Sequence, residues 1–572
     1  MKKLYLNLFF WVICFAEVLV MSRVQAQDLS TLGQQKPVTI HGGVSVRTIF
    51  YAANGIEARR KPFSYVVTGA PVLSLYGWSI PVSFVFSEQE RSFRQPFNQF
   101  GMSPTYKWIT LHAGYRNLNF SPYTLAGHTM LGGGVELKPG IFRFGFMYGR
   151  LNRATAVDTT SGSLEPFSYT RMGYAVKLGV GNRNASVDFS MVKAKDDSTS
   201  LAGVPDLRSR QRVTPAENAV FGLTARITFL KQFYWEADGG LSLYTRNIGS
   251  TIRLDTANLL PGILSGTLGK FLKINGSTEF YSAYQTSVGY RGKVFSLRLQ
   301  YRRVDPGYQS MGAYFFNNDV ENITITPSVV LWKQRLRLSG SLGLQRDNLQ
   351  NQKQATSRRV IGAANVSADF TDQFGVDFNF TNFSTNQRAR TILIADSFLL
   401  AQTTQNLSIT PRYILTRPTV NHVFLLSYSR MTLTDQNATT AQDNNIQSNN
   451  IFFNYQLTFQ EKGLSFSINL NSTQVKLSSG NNGNEGLTLG ITKRLLDNKL
   501  SLGLTSSLLR GTQGSGNSTI QNHGIRADMQ ASKKHRFNAL LNFISNSPTG
   551  LTDRYNTRYT EFRGELGYNF SF

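Results

Sequence analysis

Sulfur chemistry is almost absent from this chain. Its 572 residues include a single cysteine, Cys14, which lies within an apolar N-terminal segment, so a disulfide framework is excluded. The six histidines show no metal-ligand spacing, and no phosphate-binding glycine loop or nucleophile motif occurs. The sequence therefore predicts no catalytic residue, no metal, no cofactor and no enzymatic activity.

Beyond the N-terminal segment the chain also lacks long apolar runs. Its mean hydropathy is −0.22, and no later stretch predicts a membrane-spanning helix. No linker divides the chain, although a soluble chain of this length usually splits into several domains. A transmembrane β-barrel accounts for both observations, because only alternate residues of each strand must be apolar. The 40 Phe and 24 Tyr residues suit its aromatic interfacial girdles.

The N-terminus has the features of a secretory signal. Lys2 and Lys3 precede an apolar stretch from about Leu4 to Met21, and Val24-Gln25-Ala26 offers suitable residues for cleavage after Ala26. The alternative is an uncleaved membrane anchor. We therefore predict a signal peptide at 1–26, a short segment at 27–35 and a barrel at 36–572.

The last twelve residues, 561–572, alternate without interruption between apolar and polar side chains. This pattern is typical of a strand with one apolar face, formed here by Phe562, Leu566, Tyr568, Phe570 and Phe572. The segment resembles the closing strand of bacterial outer-membrane barrels, whose terminal aromatic residue is read by the barrel-assembly machinery. That resemblance implies that Tyr568, Phe570 and Phe572 form the signal. The alternative is the edge strand of a soluble sandwich.

From about Arg143 onward, pairs of alternating strands joined by tight turns are separated by longer polar loops. The tight turns fall near 181–184, 231–232, 292–293, 333–334, 371–373, 418–419, 461–463, 497–498 and 533–534. Short turns at one end and long loops at the other are typical of barrels with periplasmic turns and extracellular loops. We predict an all-β fold: one large transmembrane antiparallel barrel of about 24 strands, within a range of roughly 22–26. The least regular region is Lys36–Gly140.

The charge balance is strongly basic. Sixty Lys and Arg residues against 34 Asp and Glu give a net charge of +26. Export makes nucleic acid an improbable partner, which leaves anionic membrane surfaces or an anion-attracting lumen. Alternation predicts a lumen lined by basic residues, namely Arg143, Lys177, Arg226, Arg298, Arg302, Arg337 and Arg563. The alternative is that they pair with inward acids, namely Glu236, Asp238, Asp377, Glu561 and Glu565.

Two segments are candidates to fold into the lumen or to contact a partner. In 115–130, Pro122 interrupts a strand, and an inward loop could form a constriction from Tyr115, Arg116, Tyr123 and His128. The alternative is a structural corner. In 247–276, the run Thr256–Leu264 is too apolar for a free surface loop, and the alternative is a small helix with its own core.

Several non-repetitive runs in the region from about Pro37 to Arg153 carry a family resemblance. They include Phe93–Gln99, Ser103–Trp108, Gly114–His128 and Met147–Leu151. This part of the chain resembles the N-terminal part of a family of large outer-membrane barrel proteins from Bacteroidota. The resemblance implies an outer-membrane location in a Gram-negative bacterium. It implies no activity.

Two functions remain open on the sequence alone. The first is a passive or gated channel with a basic lumen. The second is a non-enzymatic barrel subunit of a larger outer-membrane assembly for export or protein insertion. Strand-like alternation begins at Val38, which leaves no room for the plug domain of a TonB-dependent transporter. Expected partners are outer-membrane lipid and lipopolysaccharide, the assembly machinery, and outer-membrane proteins or lipoproteins, with no nucleic acid.

Overall fold

A computed structural model describes most of the chain from Val38 to Phe572. The described residues are 38–88, 99–154, 168–200, 214–252, 272–314, 318–351, 355–389, 401–435, 444–478, 480–513, 516–549 and 557–572. The predicted signal peptide at 1–26 and the segment at 27–35 lie outside them. So does the middle of the 247–276 segment.

The described chain is built almost entirely of β-strands. A single turn of 3-10 helix, Trp332–Gln334, separates two of them. The strands are β1 Val38–His41, β2 Gly43–Asn54, β3 Phe63–Gly69, β4 Val72–Leu75, β5 Trp78–Ser87, β6 Gln99–Met102, β7 Thr105–Tyr106, β8 Ile109–Asn119, β9 Ala126–Leu137, β10 Phe142–Asn152, β11 Arg171–Gly181, β12 Ala185–Asp196, β13 Glu217–Phe229, β14 Phe233–Thr245, β15 Thr278–Arg291, β16 Phe295–Val304, β17 Val320–Leu331, β18 Leu336–Arg346, β19 Ala355–Asp369, β20 Phe374–Ala389, β21 Ala401–Thr416, β22 Val420–Asp435, β23 Ile446–Phe459, β24 Leu464–Leu477, β25 Gly480–Leu495, β26 Leu500–Gln513, β27 Gly516–Gln530, β28 His535–Thr549 and β29 Tyr559–Ser571.

These strands form one closed antiparallel barrel. From β8 to β29 each strand pairs with its neighbours in sequence, and β29 pairs with β2 to complete the ring. Three successive pairs, β1 with β2, β3 with β4 and β6 with β7, are the two halves of single wall strands, so the wall has 26 strands. The predicted fold class is confirmed, with a strand number near the expected value. Among the described residues, no helix is long and apolar enough to cross a membrane.

The divided wall strands explain why Lys36–Gly140 looked irregular in the sequence. Gly42 separates β1 from β2 with a φ of +124°, and an added Cβ there would lie 2.7 Å from the Ala70 carbonyl oxygen. Pro71 and Pro104 lie in the other two breaks, and neither residue has a backbone N–H for a strand ladder. Each break interrupts the alternation without ending the wall strand.

Alternation divides the wall into an apolar outer face and a more polar inner face. Large apolar side chains on the outer face are exposed; Leu299 is 52% accessible and Leu342 is 59% accessible. Their neighbours in sequence, such as Arg298 and Ser341, point inward. A closed ring pairs its backbone internally while presenting apolar side chains outward, which suits a lipid bilayer.

The nine tight turns predicted from the sequence are confirmed, and they lie together at one end of the barrel. Each turn joins two consecutive strands. In the turn between β11 and β12, for example, the N–H of Asn182 donates to the Ala185 carbonyl over 2.7 Å. The longer connections lie at the opposite end. We refer to these as the short-turn end and the long-loop end.

The C-terminal strand β29 closes the ring in the alternating register that the sequence predicted. Phe562 and Leu566 lie on the outer face, and the terminal Phe572 N–H donates to the Gly42 carbonyl over 3.0 Å. Tyr568 lies 2.8 Å from the His535 ring nitrogen, while Phe570 packs against the His535 ring and Phe572. The role of these aromatic residues as an assembly signal stays a prediction.

The apolar core lies inside one side of the barrel. Two clusters of buried side chains occupy the inner face of β9–β17, and they include Met130, Met147, Val192, Val220 and Tyr308. They exist because two connections at the long-loop end fold inward. The site described next is built from those two connections.

Candidate functional site

Two inward turns together form a structure that we call the luminal wedge. The first turn is Phe120–Leu125, between β8 and β9, and the second is Asp305–Tyr314, between β16 and β17. Tyr123 is 2% accessible, and Leu125 and Tyr308 are completely buried. The wedge is thus a packed part of the fold rather than a surface loop.

The two turns are joined mainly through backbone carbonyls of the first turn. The Tyr308 hydroxyl donates to the Tyr123 carbonyl, and the Ser310 hydroxyl donates to the Thr124 carbonyl, each over 2.6 Å. The Ala126 N–H donates to the Gly312 carbonyl over 3.0 Å. The rings of Tyr123 and Tyr308 meet edge to face, with centroids 6.0 Å apart.

Asn218, on the inner face of β13, fastens the wedge to the wall. It is completely buried, and its side chain accepts a hydrogen bond from the Met311 N–H at 2.9 Å. Its amide nitrogen donates to the Ser242 hydroxyl and to the Leu243 carbonyl, both at 2.9 Å. Ser242 in turn donates to the Gln309 carbonyl over 2.6 Å. One side chain of β13 therefore satisfies polar groups in the neighbouring strand β14 and in the wedge.

Two wall glycines make room for the wedge. A Cβ added at Gly240 would lie 2.7 Å from the Tyr123 Cβ and would also meet the Tyr308 hydroxyl. A Cβ added at Gly222 would lie 2.5 Å from the Thr124 methyl group. The two glycines face each other in the register of β13 and β14, so the wall has a shallow seat on its inner face.

The four residues predicted for a constriction do not lie together. Tyr123 is in the wedge, where its hydroxyl lies 3.3 Å from Gln285. His128 faces inward from β9 and stacks on Tyr314, with ring centroids 4.1 Å apart. Arg116 faces inward from β8, but it donates to Ser83 and to the Pro81 carbonyl, both over 3.3 Å.

Tyr115 departs from the expectation, because it lies within β8 on the outer face rather than in an inward loop. Its ring meets Phe100 edge to face at 6.1 Å, and its hydroxyl accepts a hydrogen bond from Arg150 at 3.4 Å. The physical reason is that β8 continues to Asn119, so side-chain alternation sends neighbouring residues to opposite faces. The inward turn begins only after β8 ends.

The second inward turn was not anticipated from the sequence. Tyr308, Ser310 and Met311 carry most of its contacts, and Asn218 receives it. A usable signal was present in the wall strands. Val192 and Val220 are apolar at inward positions that alternation assigns to polar residues, and the wedge buries both. The signal is partial, because Val423 and Leu425 are also inward on β22 and are not buried.

The described ends of 247–276 lie at the long-loop end. Leu272 is buried against Ala219 and Leu243, which are on the outer face of β13 and β14. The Lys273 N–H donates to Glu217 over 2.9 Å on the same face. The apolar run at 256–264 lies outside the described residues, so the predicted role of this loop stays a prediction.

Alternation places the predicted basic residues on the inner face, and four of them lie beside carboxylates. Arg143 and Lys177 share Asp188, at 2.7 and 3.3 Å respectively. Arg298 lies 3.8 Å from Glu236, and Arg563 pairs with Glu565 on the same strand. Asp188, which joins two of the predicted cations, had not been singled out in the sequence.

The remaining three predicted cations have no carboxylate within ion-pair distance among the described residues. Arg226 faces Glu236 in the register of β13 and β14, Arg302 lies on β16 and Arg337 lies on β18. Of the inward acids, Glu561 accepts hydrogen bonds from Tyr51 and Arg59, and Asp377 pairs with Arg412. Asp238 accepts from Gln285 at 3.1 Å.

A cavity of about 490 Å³ lies between the wedge and the wall at the long-loop end. His128, Tyr244 and Tyr314 line it together with Arg171 and Asp196. Arg171 donates two hydrogen bonds to Asp196, at 2.7 and 3.1 Å, and Asp196 is 4% accessible. The two charged side chains named in this cavity, Arg171 and Asp196, are therefore paired with each other.

The inner face of β22–β26, which we call the uncharged sector, differs from the inner face of β9–β17, which we call the wedge side. No described side chain on β23–β26 is buried, and on β22 only Asp435, at the long-loop end, is buried. On β23–β26 the inward residues are mainly amides and hydroxyls, such as Asn450, Asn469 and Thr488. On β22 they also include Val423, Leu425, Met431 and Leu433. Nothing within the described residues covers this part of the wall.

Comparison with known proteins gives matches only at the level of solved structures. No protein-family model and no curated protein sequence matches the chain. The FrpB iron transporter from Neisseria meningitidis (F3-3 variant) is 12% identical, with 96% of this chain and 83% of that chain covered and a TM-score of 0.38. The P pilus usher (PapC) translocation pore is 9% identical, with 93% and 99% covered and a TM-score of 0.37. BauA, the ferric preacinetobactin receptor from Acinetobacter baumannii, is 9% identical, with 93% and 81% covered and a TM-score of 0.35.

Proposed function

We propose that the chain is a diffusion channel in the outer membrane of a Gram-negative bacterium. One observation supports this most directly: the wedge covers the inner face of β9–β17 near the long-loop end, whereas the largely polar inner face of β22–β26 is uncovered among the described residues. A ring of 26 strands is wider than barrels that enclose an aqueous channel. Water and solutes would pass beside the wedge.

The proposal includes a basic contribution from part of the lumen. Arg226, Arg302 and Arg337, on β13, β16 and β18, carry positive charge towards the lumen without a carboxylate at ion-pair distance in the described chain. Uncompensated cations along a pore favour anions. Four paired cations contribute less, because Asp188, Glu236 and Glu565 offset their charge.

The proposed biogenesis follows from the two ends of the sequence. Cleavage after Ala26 would release the chain to the periplasm, and the aromatic C-terminus ending at Phe572 would be read by the assembly machinery. The short-turn end would then face the periplasm and the apolar outer face would contact lipid and lipopolysaccharide. Membership of the Bacteroidota barrel family belongs to this proposal.

Planar-bilayer recording of the purified full chain tests the channel. We expect stable, stepwise conductance and, in a salt gradient, a reversal potential whose sign shows a preference for anions. Replacing Arg226, Arg302 and Arg337 together with Gln should move that potential towards zero. A protein that is folded by circular dichroism but silent over a wide voltage range would contradict the proposal.

The second candidate, a barrel subunit of a larger assembly, is favoured by the tips of the short turns. Leu230, Trp332 and Leu496 are 79%, 64% and 61% accessible there. Exposed apolar side chains at a rim suit binding to another protein. An electrically silent barrel that co-purifies with defined proteins, and loses them in a Trp332→Ser variant, would support this candidate instead.

A further inference from the structure

The uncharged sector has borders that can be defined by charge. On one side Arg412 of β21 pairs with Asp377, and on the other side Arg526 and Asp528 of β27 pair with each other. Between them, no inward side chain of the described residues on β22–β26 is ionisable, apart from Asp435 and Arg494 near the two rims. The chain as a whole carries +26, so this neutrality is local.

Charges on these same strands lie on the opposite face. Four charged residues of these strands occupy outward positions: Arg430, Lys476, Glu485 and Arg510. Glu485 and Arg510 are directly opposite each other in the strand register. These strands therefore contain ionisable residues, yet β23–β26 present mainly amides and hydroxyls to the lumen, and β22 adds apolar side chains such as Val423 and Leu425 beside them. Side-chain alternation along each strand produces this separation. A shift of the strand register by one residue would exchange the two faces.

The inward amides and hydroxyls form short cross-strand hydrogen bonds and keep further capacity. The Asn454 amide donates to Asn469 over 2.5 Å, and the Thr488 hydroxyl donates to Ser507 over 2.8 Å. An Asn side chain has two donor hydrogens and an oxygen with two lone pairs. Each pair thus leaves donors and acceptors that can bind water or a solute.

An aromatic ring lies within this polar surface. Phe452 faces inward from β23, next to Ser427 of β22 and Asn471 of β24 in the strand register. It is half-buried, so part of its ring face is open to the lumen. An apolar ring face surrounded by groups that both donate and accept hydrogen bonds matches the two kinds of surface on a sugar ring.

We propose that the uncharged sector binds and guides neutral, hydroxyl-rich solutes, of which oligosaccharides are the main class; this inference rests on the proposed channel function. Hydroxyl groups donate and accept hydrogen bonds, as the Asn, Ser and Thr side chains of the sector do. A neutral solute has no net charge for the cations on β10–β18 to attract, and there water and small anions bind more strongly than the solute does. The two sectors thus divide neutral solutes from anions within one lumen.

The test is block of ion current by a defined sugar. Maltotriose, which is neutral, and a maltotriose sulfate, which is anionic, are added to a single channel of the full-length protein in a planar bilayer. We expect maltotriose to cause resolved block events. Replacing Asn469 and Asn471 together with Leu removes inward amides and should weaken the block several-fold. The matched control is Ser472→Leu, an outward position on the same strand, which should leave the block unchanged.

The outcomes separate the two claims. A channel that only the sulfated sugar blocks, or whose maltotriose block survives the double Leu substitution, overturns the inference but leaves the channel intact. A silent protein contradicts the channel function. In that case, titration calorimetry of the detergent-solubilised full chain with maltotriose still decides the inference: binding that the double substitution abolishes supports it, and no binding overturns it.

Discussion

The wedge side and the uncharged sector are made of the same kind of wall, yet one is filled and the other is bare. Both alternate, and both present exposed apolar side chains outward, as Leu241 and Leu504 do. They differ at the inward positions, where the wedge side has Val192 and Val220 and the uncharged sector has Asn450 and Asn469. The wedge packs on Val192 and Val220 and buries both, whereas Asn450 and Asn469 are only half-buried.

The comparison also separates two roles for glycine. Gly240 provides a seat for the wedge, since an added Cβ would lie 2.7 Å from the Tyr123 Cβ. At Gly503, on the uncharged side, an added Cβ would have its nearest neighbour at 3.5 Å, an ordinary contact. The same residue type is required in one region and replaceable in the other.

The largest expected effect is therefore a matched pair of glycine substitutions. Gly240→Leu should destabilise the barrel by about 3 kcal/mol, because the new side chain occupies the volume of Tyr123 and Tyr308. It should also raise single-channel conductance by displacing the wedge. Gly503→Leu should change stability little. Urea unfolding from lipid vesicles measures the first quantity and planar-bilayer recording the second; equal effects of the two substitutions would contradict the comparison.

Asn218 offers the next largest contrast. Asn218→Ala leaves the buried Met311 N–H without its acceptor and removes the amide donor to the Ser242 hydroxyl, so we expect a loss of about 2 kcal/mol. Asn454→Ala removes a part-buried hydrogen bond in the uncharged sector, where water can replace the lost partner, and should cost much less. Urea midpoints of the two variants, measured in the same vesicles, test the difference. A larger loss in the Asn454 variant would refute it.

Tyr308 adds a pH dependence that only the wedge side should show. Burial raises the pKa of the Tyr308 phenol above its ordinary value of 10.0. The unfolded chain releases this proton near pH 10 while the folded barrel retains it, so the stabilisation is complete below pH 10 and falls as the pH rises further.

Tyr308→Phe should accordingly cost about 1 kcal/mol at neutral pH, through loss of the hydrogen bond to the Tyr123 carbonyl. The variant should also lose less stability than the wild type between neutral pH and pH 11. Unfolding curves at several pH values provide the measurement. Identical slopes for wild type and variant above pH 10 would show that the buried phenol does not control the transition.

The smallest effect concerns charge rather than packing. Asp188→Asn leaves Arg143 and Lys177 without their shared carboxylate, so the wedge side gains uncompensated positive charge. We expect a modest shift of the reversal potential towards anions in a salt gradient. The control Ser467→Asn changes an inward residue of the uncharged sector without changing charge. A shift of equal size in the control would show that the ion pairs of Asp188 do not determine the anion selectivity.

Much of the fold was predictable because its signals are local. The positions of the tight turns, the alternation of β29 and the single large barrel all follow from residues close together in the chain. The site was predictable only in part. Tyr123 was recognised through Pro122, whereas Tyr115 was assigned to a loop although β8 extends past it to Asn119.

The sequence by itself determined the wall: which residues face outward, where the chain turns, and that the ring has a polar interior. Tertiary structure alone decided which part of that interior is filled, because the contacts that fill it join distant residues. Tyr308 and Tyr123 are 185 positions apart, and Asn218 and Met311 are 93 apart. Alternation has a period of two residues, so it specifies a face but carries no information about which distant turn will cover it.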